Sequence, residues 1–121
     1  MDTHIFLWAV ASPEKILERW RSELESQANQ VYLSAITVAE ISIKASLGKL
    51  SVDFDSVDIA QKSGFDFLDF TAEDALLLQK MPFHHRDPFD RMLISQGIQN
   101  RMTIMTVDTK FKLYDCHLMR R

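Results

Sequence analysis

Short runs of β-type residues alternate along this chain with segments whose apolar residues recur at helical spacing, and few architectures accept that order. Val31-Tyr32-Leu33, Phe65 to Phe70, Met102 to Thr106 and Leu113 to Leu118 are predicted strands. A short helix is expected after Asp2, burying Ile5, Phe6 and Trp8. Ser12-Pro13 starts a second, with Ile16, Leu17, Trp20 and Leu24 as its stripe. Thr37-Val38-Ala39-Glu40 opens a third that ends near Gly48, and Asp55 or Ser56 a brief one that closes near Gly64. Thr71-Ala72-Glu73-Asp74 caps a helix to about Met81, Asp87-Pro88 starts one to about Asn100, and Asp108 to Lys112 forms a turn.

Strands alternating with helices predict an α/β fold: three layers, α/β/α, around a mostly parallel central sheet. With 121 residues, three glycines and three prolines, the chain has room for one domain over residues 1–121 and none for a flexible linker. Cys116 is the single cysteine, which excludes an internal disulfide and fits a reducing compartment. No run of about 18 apolar residues offers a membrane span. Asp2 follows Met1 directly, so no signal peptide is expected and a cytoplasmic location is the default.

The formal net charge of −3 argues against holding a polyanion by overall charge. A local cationic rim, or metal ions that reverse the sign of an acidic site, would be needed instead. In parallel sheets, sites form at the carboxyl ends of strands beside the helix starts that follow. Asp2, Glu40, Asp90 (with Asp87 beside it) and Asp108 are expected there.

Each acid also has a structural reading. Glu40 can complete a capping box with Thr37 or pair with Lys44, Asp108 can cap the turn Thr109 to Phe111, and Asp2 can be a frayed terminus. Asp87 suits the N-cap of the helix it opens. Asp90 is different. On a helical wheel it falls inside the arc swept by Phe89, Leu93, Ile94, Gly97 and Ile98, whereas Arg91 and Ser95 lie outside it. A carboxylate aimed along a buried face needs a partner.

Converging carboxylates relieve their repulsion by sharing protons or by binding cations, and hard oxygen ligands suit Mg²⁺ or Mn²⁺. Such a site positions water and stabilises charge on a phosphodiester. Arg86, Arg91, Lys44 and Lys110 are available for phosphate contacts. His84 and His85 read as loop residues that fix the helix start or touch substrate; a zinc site lacks further ligands at suitable spacing. Cys116 has no evident base, and no glycine-rich phosphate loop is present.

DTHIFLW, LSAITVAEISIKASLGKL, MPFHHRDPFDRMLISQ and TIMTVDTKF, in that order and spanning essentially the whole chain, resemble the PIN-domain ribonucleases. The closer likeness is to the VapC-like toxins of bacterial type II toxin–antitoxin modules. The resemblance implies a helix-sandwiched parallel sheet and Mg²⁺- or Mn²⁺-dependent cleavage of RNA. It places the family's four acids on Asp2, Glu40, Asp90 and Asp108, an additional acid on Asp87 and a polar neighbour on Thr106. It also implies a homodimer, and a cognate antitoxin that enters the active-site groove. Family members carry several apolar residues before the first aspartate; here Met1 alone precedes it, so the first strand of the sheet is expected to be truncated.

Two other classes compete. A signalling receiver domain would also gather acids and Mg²⁺ on a parallel sheet, but its early acidic pair and mid-chain phospho-acceptor are not visible. A catalytically inactive module that keeps the fold and binds an antitoxin or other protein is the alternative function.

Overall fold

The computed structural model describes all 121 residues. Six helices and four short strands follow one another in the alternating order: α1 (Thr3–Ala11), α2 (Glu18–Glu25), β1 (Tyr32–Ser34), α3 (Ala35–Ser46), α4 (Ser56–Lys62), β2 (Asp66–Leu68), α5 (Ala72–Leu77), α6 (Pro88–Asn100), β3 (Thr103–Ile104) and β4 (His117–Leu118). Both strand pairings are parallel, as the alternation requires. Tyr32, Leu33 and Ser34 face Asp66, Phe67 and Leu68, while Thr103 and Ile104 face His117 and Leu118.

The expected α/β class with parallel strands is what the chain adopts, but its sheet is interrupted. β1 pairs with β2 and β3 with β4, and no ladder joins the two halves. Between β1 and β3 lies a groove of about 320 Å³ whose lining includes Met1, Val31, Tyr32, Met102, Thr103 and Met105. A smaller cavity of about 40 Å³ continues it toward α6, against Leu93, Gln96 and Gly97. Met1 lines both, and the backbone N–H of Asp2 donates to Met105 O at 2.9 Å. The interruption also shortens the strands: Met102 to Thr106 was expected to pair throughout, yet its ladder covers Thr103 and Ile104 alone.

α1 explains how two half-sheets share one molecule. Its apolar residues surround the helix, and adjacent side chains serve different clusters. Ile5 packs with Ile16, Trp20 and Met105; Phe6 packs with Leu33, Ile41 and Ala60. A third cluster, Ile94, Ile104, Phe111 and Tyr114, closes the β3–β4 half over α6. Polar groups fasten α6 to its neighbours: Ser95 donates to Asp74 O, and Gln96 Nε2 donates to Leu68 O (3.2 Å) and Asp69 O (3.0 Å).

Several helix starts fall where local chemistry puts them. Asp55 caps α4, Asp87 caps α6, and Thr71 with Asp74 forms a capping box on α5. Two differ. The helix expected from Ser12-Pro13 is a single 3-10 turn, Pro13–Lys15; the chain extends at Ile16 to bury that side chain, and α2 begins at Glu18 with Leu17 exposed. α3 begins at Ala35 under a Ser34 cap, so Thr37 and Glu40 lie inside the helix and form no capping box. No helix is long and apolar enough to cross a membrane.

Candidate functional site

Removing Glu40 from a capping role leaves its carboxylate buried one and a half turns into α3, which demands partners. It has them. Oε1 accepts from Thr3 Oγ1 at 2.7 Å, and Oε2 pairs with Lys44 Nζ at 2.5 Å. Thr3 Oγ1 lies 3.2 Å from Thr37 Oγ1, so the residue after Asp2 ties α1 to α3 at this point. Lys44 is held protonated above its ordinary range, chiefly by the Glu40 hydrogen bond, with the charges of Asp87 and Asp90 adding to it.

Asp2 is the N-cap of α1 and is no frayed terminus: it is 4% exposed. Oδ1 accepts from Ile5 N at 2.9 Å and Oδ2 from Thr106 Oγ1. Burial pushes its carboxyl above the usual range, against the hydrogen bonds from Thr106 and Ile5. Thr106 Oγ1 also accepts the Asp108 N–H at 3.0 Å, so one buried hydroxyl links the first and last acids.

Asp87 Oδ1 accepts from Phe89 N (2.8 Å) and Asp90 N (3.2 Å), which fixes the first turn of α6. Asp90 projects from this fixed turn toward His85, half-buried; the apolar arc of the wheel does not bound the buried face, since Ser95, expected outside it, is fully buried where it bonds to Asp74 O. Burial and the nearby charge of Asp87 raise its carboxyl to about 7, with His85 opposing and Asp2 and Glu40 contributing. Asp108 caps the 3-10 turn Thr109–Leu113 through Lys110 N (2.9 Å). Its Oδ2 and the Oδ2 of Asp90 each lie 3.0 Å from His85 Nε2.

All four acids named from the sequence thus gather in one region, in two tiers. Asp90 and Asp108 form an inner group with His85, in which one ligand-type atom from each residue lies within 4.8 Å of the others. Asp2 and Glu40 stand beside it, near enough to raise Asp90, with their oxygens engaged by hydroxyls, an amide and Lys44. The donor chemistry fits a hard divalent cation. Carboxylate oxygens predominate, and the charges of Asp87, Asp2 and Glu40 add to burial in raising the Asp90 carboxyl, a repulsion that an added cation would relieve.

His85 joins these acids, although its sequence context marks it, like His84, only as a loop histidine that fixes the helix start or touches substrate. It is 5% exposed and meets Asp108 across 23 positions of the chain. The adjacency of His84 and His85 was the available signal, but nothing local says which of the two turns inward; His84 is exposed. Tyr114 decides it: its Oη accepts the backbone N–H groups of His84 (3.0 Å) and His85 (2.8 Å) and pins the loop.

The cations divide likewise. Arg86 and Lys110 are exposed near the acids. Arg91 is not available for phosphate as expected; it donates to Pro82 O, Leu78 O and Tyr114 Oη and lies over the Phe83 ring at 4.7 Å. Lys44, half-committed to Glu40, still sits within the field of Asp87 and Asp90.

No curated protein sequence matches the chain significantly. Among solved structures it is similar to VapBC2 from Rickettsia felis, crystallised with a DNA fragment from its promoter. That match covers 97% of this chain and 93% of that one, with a TM-score of 0.74 and 21% identity, a likeness of fold. The PIN domain family model matches residues 1–115, nearly the full length and all the acids just described, and the chain belongs to that family.

Proposed function

We propose that this protein is a metal-dependent endoribonuclease and the toxin of a type II toxin–antitoxin pair, held in check by a cognate antitoxin protein. The observation that carries the reading is the convergence of Asp2, Glu40, Asp90 and Asp108, with Asp90 raised to about 7 by burial first and by the charges of Asp87, Asp2 and Glu40 next. Family membership supports nuclease chemistry, and the similarity to a VapBC2 structure supports the toxin role.

Asp90 and Asp108 are the residues that would hold Mg²⁺ or Mn²⁺, with Asp2 and Glu40 completing the acidic wall and Asp87 serving as cap. The cation, when bound, supplies a more acidic water and offsets charge on the phosphodiester. The protein's own residues do the placing. Thr106 orients Asp2, Thr3 and Lys44 orient Glu40, and Asp87 orients Asp90. Arg86 and Lys110 are placed to contact RNA phosphates. Exposed Ile43 on α3 and Leu47 at its C-cap offer apolar surface for the antitoxin or for a second copy in a homodimer. A cytoplasmic location accords with RNA as substrate.

Purified protein incubated with RNA and Mg²⁺ or Mn²⁺ tests this. Cleavage is expected, with Asp90→Asn reducing it by about 10²–10³-fold, the scale of losing a preorganised charge-stabilising group. Equal cleavage by both proteins would end the assignment of Asp90. A second reading has its own support: the carboxylates of Asp2 and Glu40 are already satisfied, as suits an inactive module that binds a protein partner. Calorimetric titration with Mn²⁺ separates the two, since the inactive module takes up no metal.

A further inference from the structure

We infer that His85 is a positioning residue of the acidic site, an N–H bridge that holds the carboxylates of Asp108 and Asp90 beside each other. The inference rests on the metal-dependent reading above and deepens it.

Three independent anchors fix this ring. The His85 backbone N–H donates to Tyr114 Oη at 2.8 Å, its ring meets Phe111 edge-on at 6.0 Å and 78°, and Nδ1 accepts the Asp87 N–H at 3.3 Å. The last contact settles the tautomer. A nitrogen that accepts an amide proton carries none itself, so the ring proton is on Nε2. That Nε2–H donates to Asp108 Oδ2 at 3.0 Å, with Asp90 Oδ2 equally distant to one side. Two carboxylate oxygens that would repel each other are thereby drawn to one polarised N–H.

The same geometry disfavours His85 as a metal ligand. Ligation through Nε2 needs the proton moved to Nδ1, where it would point at the Asp87 N–H, donor against donor. Moving that amide would disturb the cap on which Asp90 depends. His85 thus acts through the acids rather than on the metal. Asp108 shows why such a bridge matters: its Oδ1 is committed to Lys110 N, so Oδ2 is the oxygen left to aim, and His85 aims it. Outer partners of this kind set metal affinity by about 10–100-fold.

The test compares His85→Gln with His85→Met in the full chain. Both approximate the ring's bulk, but glutamine alone returns an N–H near the Nε2 position. Mn²⁺ affinity measured by calorimetry is expected to stay within a few-fold of wild type for Gln and to fall about 10–100-fold for Met. Thermal unfolding of each variant verifies that it is folded. Nitrogen-15 NMR of the wild-type imidazole, which needs no variant, should show the proton on Nε2 both before and after Mg²⁺ is added. Equal affinities for Gln and Met would reduce His85 to a space-filler and overturn the inference. A shift of the proton to Nδ1 on adding Mg²⁺ would make it a ligand and overturn it equally. Failure of the wild type to bind Mn²⁺ at all would overturn the metal-dependent reading itself, and this inference with it.

Discussion

Asp90 binds a proton in the folded chain at a pH where an ordinary aspartate has lost one, and stability inherits that difference. Its carboxyl is raised from 3.8 to about 7, by burial first and by Asp87 next. Between those values the native state holds more protons than the unfolded state, so stability falls as pH rises from about 4 to about 7. Asp2, raised by burial, works in the same direction. For metal-free protein we expect Asp90 to contribute a loss of roughly 2 kcal/mol across the window, reduced from the full shift because the site is partly open to water. Urea midpoints against pH should show this slope in the wild type and a flatter one in Asp90→Asn; parallel curves would refute it. Excess Mg²⁺ should stabilise the wild type more at pH 8 than at pH 5, since the cation competes with the proton. Asp90 was legible from sequence as an acid in the first turn of a helix, although helical periodicity did not bound the buried face: Ser95, outside the apolar arc, is buried by its bond to Asp74 O. His85 was not. Its orientation depends on Tyr114 and its partner on Asp108, both more than twenty positions away, and no local pattern encodes either.

Caps are where sequence and structure agree most closely, because a cap is a contact over two or three residues. Asp55, Thr71 with Asp74, and Asp87 needed no tertiary knowledge. The boundaries that went astray were set by burial. Ile16 joins Trp20 in the core at the expense of a turn of α2, and Ser34 caps α3 three residues ahead of Thr37 because the chain leaves β1 there. At α6 the cap and the site share one element, which allows their contributions to be separated. Asp87→Ala removes the acceptor for Phe89 N and Asp90 N and should cost about 1 kcal/mol, while Asp87→Ser should recover most of it. Both substitutions remove the charge that raises Asp90, so both should lower its carboxyl and narrow the pH window of declining stability. Mn²⁺ binding should survive Asp87→Ser within several-fold and be lost in Asp90→Ser. A loss as deep in Asp87→Ser would make Asp87 a ligand in its own right.

The divided sheet concerns the molecule as a whole, since the two halves meet through α1 and the clusters on either side of it rather than through a ladder. The alternation of elements told that the strands would be parallel; it did not tell that β1 and β3 would face each other across a groove. Unpaired edges are unfavourable where water is scarce, and here they face a groove lined by Met1, Tyr32, Met102 and Thr103. Asp2 N already donates to Met105 O, which is the first rung a strand parallel to β3 would need. Five residues of valine and isoleucine placed ahead of Met1 should therefore run back along Thr103 and Met102 and pair with β1 on the other side. The gain combines buried apolar area and new ladder hydrogen bonds, and should raise Tm by about 5–10 °C for a chain of this size. A glycine–serine extension of equal length is the control, because it lengthens the chain but packs nothing into the groove. If calorimetric melts give the two extensions the same Tm, the groove is not a strand position and the halves are held apart by their own packing. A larger Tm with valine and isoleucine, together with Mn²⁺ binding at least as tight as in the parent chain, would show that the acidic site at the ends of these strands tolerates a completed sheet beneath it.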